Sequence, residues 1–300
     1  MAENRFFRPS PEQWNEITST VVDEMRQHTF PYTAAISREV SPSEGEHLGS
    51  GSYLQLRGAQ YLLTNEHVAR HINLYPLGHQ LIKDGYAARV TNPLQVARSP
   101  YDLALTRIEN HVWSDATNQR LALPIERVAE KHNSVESEFL FTMGYSGERA
   151  RFSPGLGALF SRATPYLTQE SKSPPEWISE MFFALPYPPA RARSVDAKGA
   201  GLPTNPGGLS GSPVWNTNFR RCNLENRRWD PSCSELTGVI FKWDNSTAHI
   251  IAVRIEYVRE FLLYALRVEA AYFHWIDRGK PHSDDLTDWM WGERLIPSLR

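Results

Sequence analysis

An all-β body with a helix at each end is the fold class this 300-residue sequence predicts. Its central part consists of short runs rich in Val, Ile, Leu, Thr and Tyr, broken by Gly, Pro, Asn or Ser. In order they are YTAAISREV, LGSGSYLQL, AQYLLTN, DGYAARVTN and DLALTRIE, then EFLFTMGY, EMFFALPY, GSPVWN, LTGVIFKW and HIIAVRI. Many runs of strand length with turn residues between them suit a barrel or sandwich better than alternating β and α units. A charged stretch at 126–137, ERVAEKHNSVES, separates the runs into two sets of similar size and reads as a connection between two domains.

The flanking elements follow from local chemistry. Ser10-Pro11-Glu12-Gln13 has a capping serine, a proline at the first helical position and a glutamine placed to complete a capping box. Apolar residues at helical spacing (Trp14, Ile17, Val21, Val22, Met25) then predict an amphipathic helix packed on the outside of the β body. At the other end Tyr257, Val258, Phe261, Leu262, Ala265 and Leu266 form an apolar helical face, followed by a tail with Pro281, Trp289, Trp291 and Pro297 whose aromatics predict docking. The resulting divisions are a helical extension at 1–30, a first β unit at 31–128, a second at 129–258, and a helix with its Trp-rich tail at 259–300.

Bulk properties narrow the function. Forty-one per cent hydrophobic residues suffice for a substantial core, and a net charge of −2 with interspersed signs gives no reason to expect nucleic acid or an anionic membrane as partner. No stretch approaches the roughly 20 apolar residues of a membrane span, and MAENRFFRPSPEQW lacks the apolar core of a secretory signal, so a cytoplasmic protein is expected. Two cysteines, Cys222 and Cys233, are too few for a disulfide framework. They share one polar insertion, as two free thiols or, in an oxidising compartment, a local bridge.

Three patterns carry chemistry. In YLLTNEHVA (61–69) an apolar strand delivers His67 to its end; zinc is disfavoured, because the glutamate precedes His67 where a zinc-binding helix needs it directly after. In SPYDLALTRI (99–108) Asp102 opens a strand, where a part-buried carboxylate can hold an imidazole in one tautomer. In TNPGGLSGSPVWN (204–216) Gly207, Gly208 and Gly211 surround Ser210, so that the backbone can turn sharply and converge its N–H groups on one point. The order His67, Asp102, Ser210, with separations of 35 and 108 residues, differs from that of α/β-hydrolases (serine first) and of subtilisins (acid first).

TNEHVA resembles the histidine motif of trypsin-like serine proteases, most like their bacterial HtrA and glutamyl endopeptidase branches; DLALTRI resembles their aspartate motif, and GLSGSPVWN the nucleophile motif of the glutamyl endopeptidases. LTGVIFKW is similar to the strand that walls their substrate pocket, and IIAVRIEYVREFL to the last strand and terminal helix; the resemblance covers about 31–266. It implies two perpendicular six-stranded Greek-key β-barrels, the chymotrypsin fold, with His67, Asp102 and Ser210 in the intervening cleft. It further implies an oxyanion hole from the Gly208 and Ser210 N–H groups, a protein or peptide substrate, and no cofactor or metal.

The match is incomplete around the pocket. Leu209 stands where digestive proteases carry the aspartate that pairs with a new amino terminus, so activation by that route is not expected. Thr204, six before Ser210, is uncharged and gives no support to a preference for Lys or Arg. Alignment on Trp243 puts Lys242 where glutamyl endopeptidases use a histidine to bind an acidic side chain; Asp244 can equally neutralise it, and specificity stays open. The insertion 218–235, with four arginines, is an exosite for a regulatory partner or a solvated loop, and the carboxy-terminal tail is a second place for such control. A limited target set is expected of a cytosolic endopeptidase. A catalytically silent binding module on the same fold, and an esterase, are the alternatives.

Overall fold

The computed structural model describes residues 10–41, 44–81, 87–115, 118–153, 158–192, 201–279 and 285–299. Part of the expected amino-terminal extension (1–9) and Pro281 of the tail lie outside them. The chain begins with helix α1 (Pro11–Thr29), capped as its sequence requires: Ser10 Oγ accepts the Gln13 N–H at 3.2 Å and Gln13 Oε1 accepts the Ser10 N–H at 2.9 Å. Its inner face buries Val21, Val22 and Met25.

A first sheet follows, built from β1 (Thr33–Ser41), β2 (Glu44–Leu56), β3 (Ala59–Thr64), β4 (Leu77–His79), β5 (Ala88–Arg89), β6 (Leu94–Ala97), β7 (Leu103–Arg107) and β8 (Leu123–Pro124). The helical turns α2 (Glu66–Ala69) and α3 (Asn110–Trp113) interrupt it. The strand order is β5-β4-β1-β2-β3-β7-β6, antiparallel throughout, with β8 added parallel to β2. The second sheet comprises β9 (Leu140–Ser153), β10 (Ala158–Thr168), β11 (Phe182–Pro186), β12 (Pro213–Asn216), β13 (Glu235–Asp244) and β14 (His249–Arg254), all antiparallel in the order β10-β9-β12-β13-β14-β11. A six-residue helix, α4 (Phe219–Leu224), opens the insertion between β12 and β13. The protein is thus mostly β, two sheets with helices at both ends. The first sheet has eight strands rather than six: the run DGYAARVTN, whose first three residues lie outside the described ones, contains β5, whereas β4, β6 and β8, of three, four and two residues, are too short to leave a pattern.

A single apolar cluster joins both sheets and both terminal helices. It runs from Met25 through Leu54 and Leu63 to Phe141 and Trp215, and on to Phe261 and Leu262. Trp215 is fully buried, and truncating a side chain of that size typically costs about 3–5 kcal/mol. Helix α5 (Ile255–Asp277) closes this core with Val258, Phe261, Leu262 and Ala265, on the face its spacing predicts. The tail forms α6 (Asp285–Leu295) and docks on α5. Asp288 lies 2.6 Å from His274 Nδ1, Trp291 stacks on the His274 ring at 4.6 Å, and a Cβ at Gly292 would come within 2.6 Å of the Arg267 carbonyl. Among the described residues no helix is long and apolar enough to cross a membrane.

Candidate functional site

The pairing of β3 with β7 sets the first half of the site. Thr64 lies opposite Ala104, so the residues just beyond β3 face those just before β7. Asn65 starts α2 in an extended conformation and donates from Nδ2 to the Asp102 carbonyl at 2.8 Å, locking that junction from a fully buried position. Asp102 has φ +50, a conformation a non-glycine residue adopts only when its surroundings fix it. Its carboxylate then accepts twice from one residue, the His67 backbone N–H at Oδ1 (2.8 Å) and His67 Nδ1 at Oδ2 (2.5 Å). A carboxylate only accepts, so the Nδ1 proton of a neutral ring lies on this bond and Nε2 presents its lone pair. Asp102 is buried, while a third of the His67 side chain is open.

Ser210 arrives on the second sheet, in the turn before β12. Gly208 (φ +96) and Gly211 (φ +86) need the left-handed region, and a Cβ at Gly211 would lie 2.1 Å from the Ser50 carbonyl oxygen. Within the turn the Leu209 N–H donates to Pro206 O, Gly211 to Ile240 O and Ser212 to Leu209 O. The N–H groups of Gly208 and Ser210 donate to no protein group among the described residues. The carbonyls trans to them across their peptide planes are both anchored: Gly207 O accepts from Gly147 N–H at 2.8 Å, and Leu209 O from Ser212 N–H at 3.0 Å. Planarity then fixes the direction of each free N–H.

Ser50 joins the halves. Its N–H donates to Ser210 O at 2.8 Å, its Oγ to Gly208 O at 2.8 Å, and its carbonyl accepts from Thr64 Oγ1 at 2.7 Å; the Tyr145 N–H donates to Ser50 Oγ at 2.8 Å. Gly49 beside it is wedged: a Cβ there would lie 2.7 Å from a Val68 methyl carbon and 3.2 Å from Ser210 O. The residue after His67 and the backbone of Ser210 therefore share one contact point. Ser210 Oγ itself donates to Phe241 O at 3.5 Å, and among the described residues it is not bonded to His67. His47 adds Nε2 at 2.8 Å from the Tyr145 carbonyl, and burial holds its pKa below the ordinary histidine value.

The other expected positions are arranged less simply. Thr204 donates its Oγ1 proton and its N–H to the Glu148 carboxylate (2.7 and 3.1 Å), and Asn205 N–H joins at 2.7 Å, so an acid stands beside the uncharged Thr204. Among the described residues Lys242 and Asp244 form no direct ion pair, though both touch Trp177. Lys242 Nζ sits 4.0 Å over the Trp177 ring, whereas Asp244 accepts from Trp177 Nε1 at 2.9 Å and from Ser246, hydrogen bonds that hold its pKa down at about 2. Trp243 packs on the core cluster of the second sheet, its Nε1 buried and without a partner among the described residues. Sequence reasoning missed Ser50, Gly147, Glu148 and Asn65, all of which act through partners 14 to 158 residues away.

Beneath the insertion, Glu138, just before β9, is buried and accepts the backbone N–H groups of Arg220 and Arg221. Asn218 ties the two cysteines together, accepting the Cys222 N–H at 2.9 Å and donating from Nδ2 to Cys233 O at 2.9 Å. Both thiols are free, and burial together with the neighbouring Cys233 thiol pushes Cys222 up to about 11. Among the described residues no His, Cys, Asp or Glu cluster is suited to a metal.

No family model and no curated protein matches the chain. A solved structure from a study of aromatic interactions in the coupled folding and binding of the intrinsically disordered Sesbania mosaic virus VPg protein is 18% identical. That match spans 77% of this chain and 90% of the other at a TM-score of 0.42, a likeness too loose to bear on fold or function.

Proposed function

We propose that the protein is a serine endopeptidase of the trypsin-like kind, its two sheets being the two perpendicular Greek-key barrels of the chymotrypsin fold. The observation that supports this most is the meeting of two preorganised parts: a His67–Asp102 pair with Nε2 left open, and a turn that presents Ser210 beside two oriented, unbonded N–H groups. In the reaction His67 Nε2 takes the Ser210 proton as Oγ attacks the scissile carbonyl, and Asp102 stabilises the imidazolium. The Gly208 and Ser210 N–H groups receive the oxyanion, each contributing about 3–4 kcal/mol to the transition state. The imidazolium then protonates the leaving amine, and water, deprotonated by His67, releases the acyl group from Ser210. Ser210 Oγ must first leave Phe241 O.

That resting bond favours a second reading, a silent binding module. A fluorophosphonate probe separates the two. Covalent labelling of the wild type, absent in Ser210→Ala and slowed about 10⁴-fold in Asp102→Asn, where the amide stabilises the wrong histidine tautomer, supports catalysis. No labelling of folded wild-type protein overturns it. Turnover of small esters with every protein substrate left intact would make it an esterase.

A further inference from the structure

Away from that site, a long groove runs between α1 and the outer edge of β10. Its volume is about 1560 Å³, above the range of roughly 300–1,000 Å³ typical of small-molecule pockets, and none of His67, Asp102, Gly208 or Ser210 lines it. Every residue from Phe160 to Ser173 does. In a strand successive side chains point to opposite faces, so a cavity that meets all of them follows the backbone edge instead of one face. β10 is the terminal strand of its sheet, and Pro165 within it is at home only on such an edge. The opposite wall is helical and partly apolar, with Trp14 40% exposed and Val22 behind it.

The charge of the groove departs from that of the chain. Arg26, Arg120, Arg149, Arg162 and Lys172 line it against Asp23 and Glu170; Arg26 pairs with Asp23 at 3.1 Å and Lys172 with Glu136, outside the lining, at 2.8 Å, so the lining carries more cations than anions on a protein whose net charge is −2. Arg120 is the most telling. It is 4% exposed, and among the described residues its guanidinium is held by neutral groups: it donates to Phe30 O at 2.8 Å, Gln80 O at 3.3 Å and the Tyr145 hydroxyl at 3.2 Å, and lies 4.3 Å from the centre of the Phe30 ring. Among the described residues it forms no ion pair, although burying a guanidinium without a counter-charge is costly. Those three hydrogen bonds leave one N–H on each terminal nitrogen.

The geometry points to a docking channel for an extended acidic peptide of a partner protein, lying along the β10 edge with a carboxylate at Arg120. Main-chain pairing on one side of Pro165 and side-chain contacts with α1 supply affinity, and the basic lining selects acidic sequences.

The test uses full-length Ser210→Ala protein, in which hydrolysis cannot consume the probe. A random twelve-residue peptide display library is selected on it, and the enriched peptides are measured by fluorescence anisotropy. Arg162→Glu/Lys172→Glu, two changes at exposed positions with folding checked by melting temperature, is the comparison. Enriched peptides rich in Asp and Glu, bound at least tenfold more weakly by the double variant and weakened by added salt, support the channel. Enrichment without acidic bias, equal binding to both proteins, or no enrichment overturns it. Tighter binding of a labelled dT12 oligonucleotide would assign the groove to nucleic acid, and peptide-independent dimerisation lost in the double variant would assign it to a second copy; either refutes the peptide.

Discussion

On the proposed protease reading, Gly147→Pro tests whether the oxyanion donors are oriented from outside their own turn. Gly147 N–H holds Gly207 O at 2.8 Å, and through the planar peptide this aims the Gly208 N–H. Proline removes that single donor. Gly147 lies in the stretch of β9 where the register with β10 shifts, it has no Cα partner there, and its φ is outside the left-handed region, so the ladder loses little. A hydrogen bond of this kind is worth about 1 kcal/mol net, which alone lets the peptide reorient about fivefold more often. Complete loss of one oxyanion donor sets the ceiling, about 10²–10³-fold. The second-order rate of fluorophosphonate labelling, read by intact mass, is expected to fall within those limits, with folding retained. Gly147→Ala keeps the N–H, and its Cβ would meet Gly207 O at 3.6 Å, an ordinary contact, so it should label like wild type. Acylation of His67 by diethyl pyrocarbonate, which uses no oxyanion donor, should be unchanged in both. Labelling of folded Gly147→Pro within twofold of wild type, or an equal loss in Gly147→Ala, would refute the reasoning.

Three other expectations concern stability and selectivity. Gly211→Ala forces a Cβ to 2.1 Å from Ser50 O and 2.6 Å from Thr64 Oγ1 at φ +86; urea unfolding should show a loss above about 4 kcal/mol, and a loss below 1 would contradict the described packing. Burial lowers His79 to about 4, so the unfolded chain binds the extra proton first as pH falls. The stability present above pH 6.5 is then lost between 6.5 and 4, about 3 kcal/mol from this residue, and His79→Asn should flatten that part of the curve; an unchanged slope would be inconsistent with the buried neutral ring. On the proposed protease reading, Lys242→Met keeps bulk beside Trp177 but removes the cation, and a peptide-library profile should lose about tenfold of its preference for acidic residues. A wild type without that preference would remove Lys242 from the pocket.

What the sequence disclosed follows from how local each determinant is. Helix α1 was readable because Ser10, Pro11 and Gln13 form its cap within four residues, and α5 because its apolar spacing persists for several turns. Strand β10, with one of the largest interfaces in the second sheet, gave no signal: Arg162 and Pro165 interrupt its pattern, and both are tolerated because the strand is an edge. The insertion's arginines leave both an exosite and a solvated loop open, since the burial of Glu138 beneath the backbone of Arg220 and Arg221 has no trace in local composition.

The site divides along the same line. His67, Asp102 and Ser210 were legible because each sits at the end of a strand or in a glycine turn that announces itself over a few residues. Their alignment depends on groups with no local signature: Asn65, Ser50 and Gly147 hold backbone carbonyls 37, 158 and 60 residues away. One clue was nonetheless present in LGSGSYLQL, where two glycines interrupt a strand. Glycine there weakens the strand and marks close approach of another backbone. Gly49 meets Ser210 O, and a Cβ at Gly51 would lie 2.7 Å from Leu63 O. A strand crowded at alternate positions by the histidine side and the serine side is the one able to fix the distance between them. On the proposed reading the separation of Ser210 from His67 is therefore governed by β2, which contributes neither residue, and Ser50 is its key position because it holds the Gly208 and Ser210 carbonyls of the nucleophile turn while its own carbonyl accepts from Thr64.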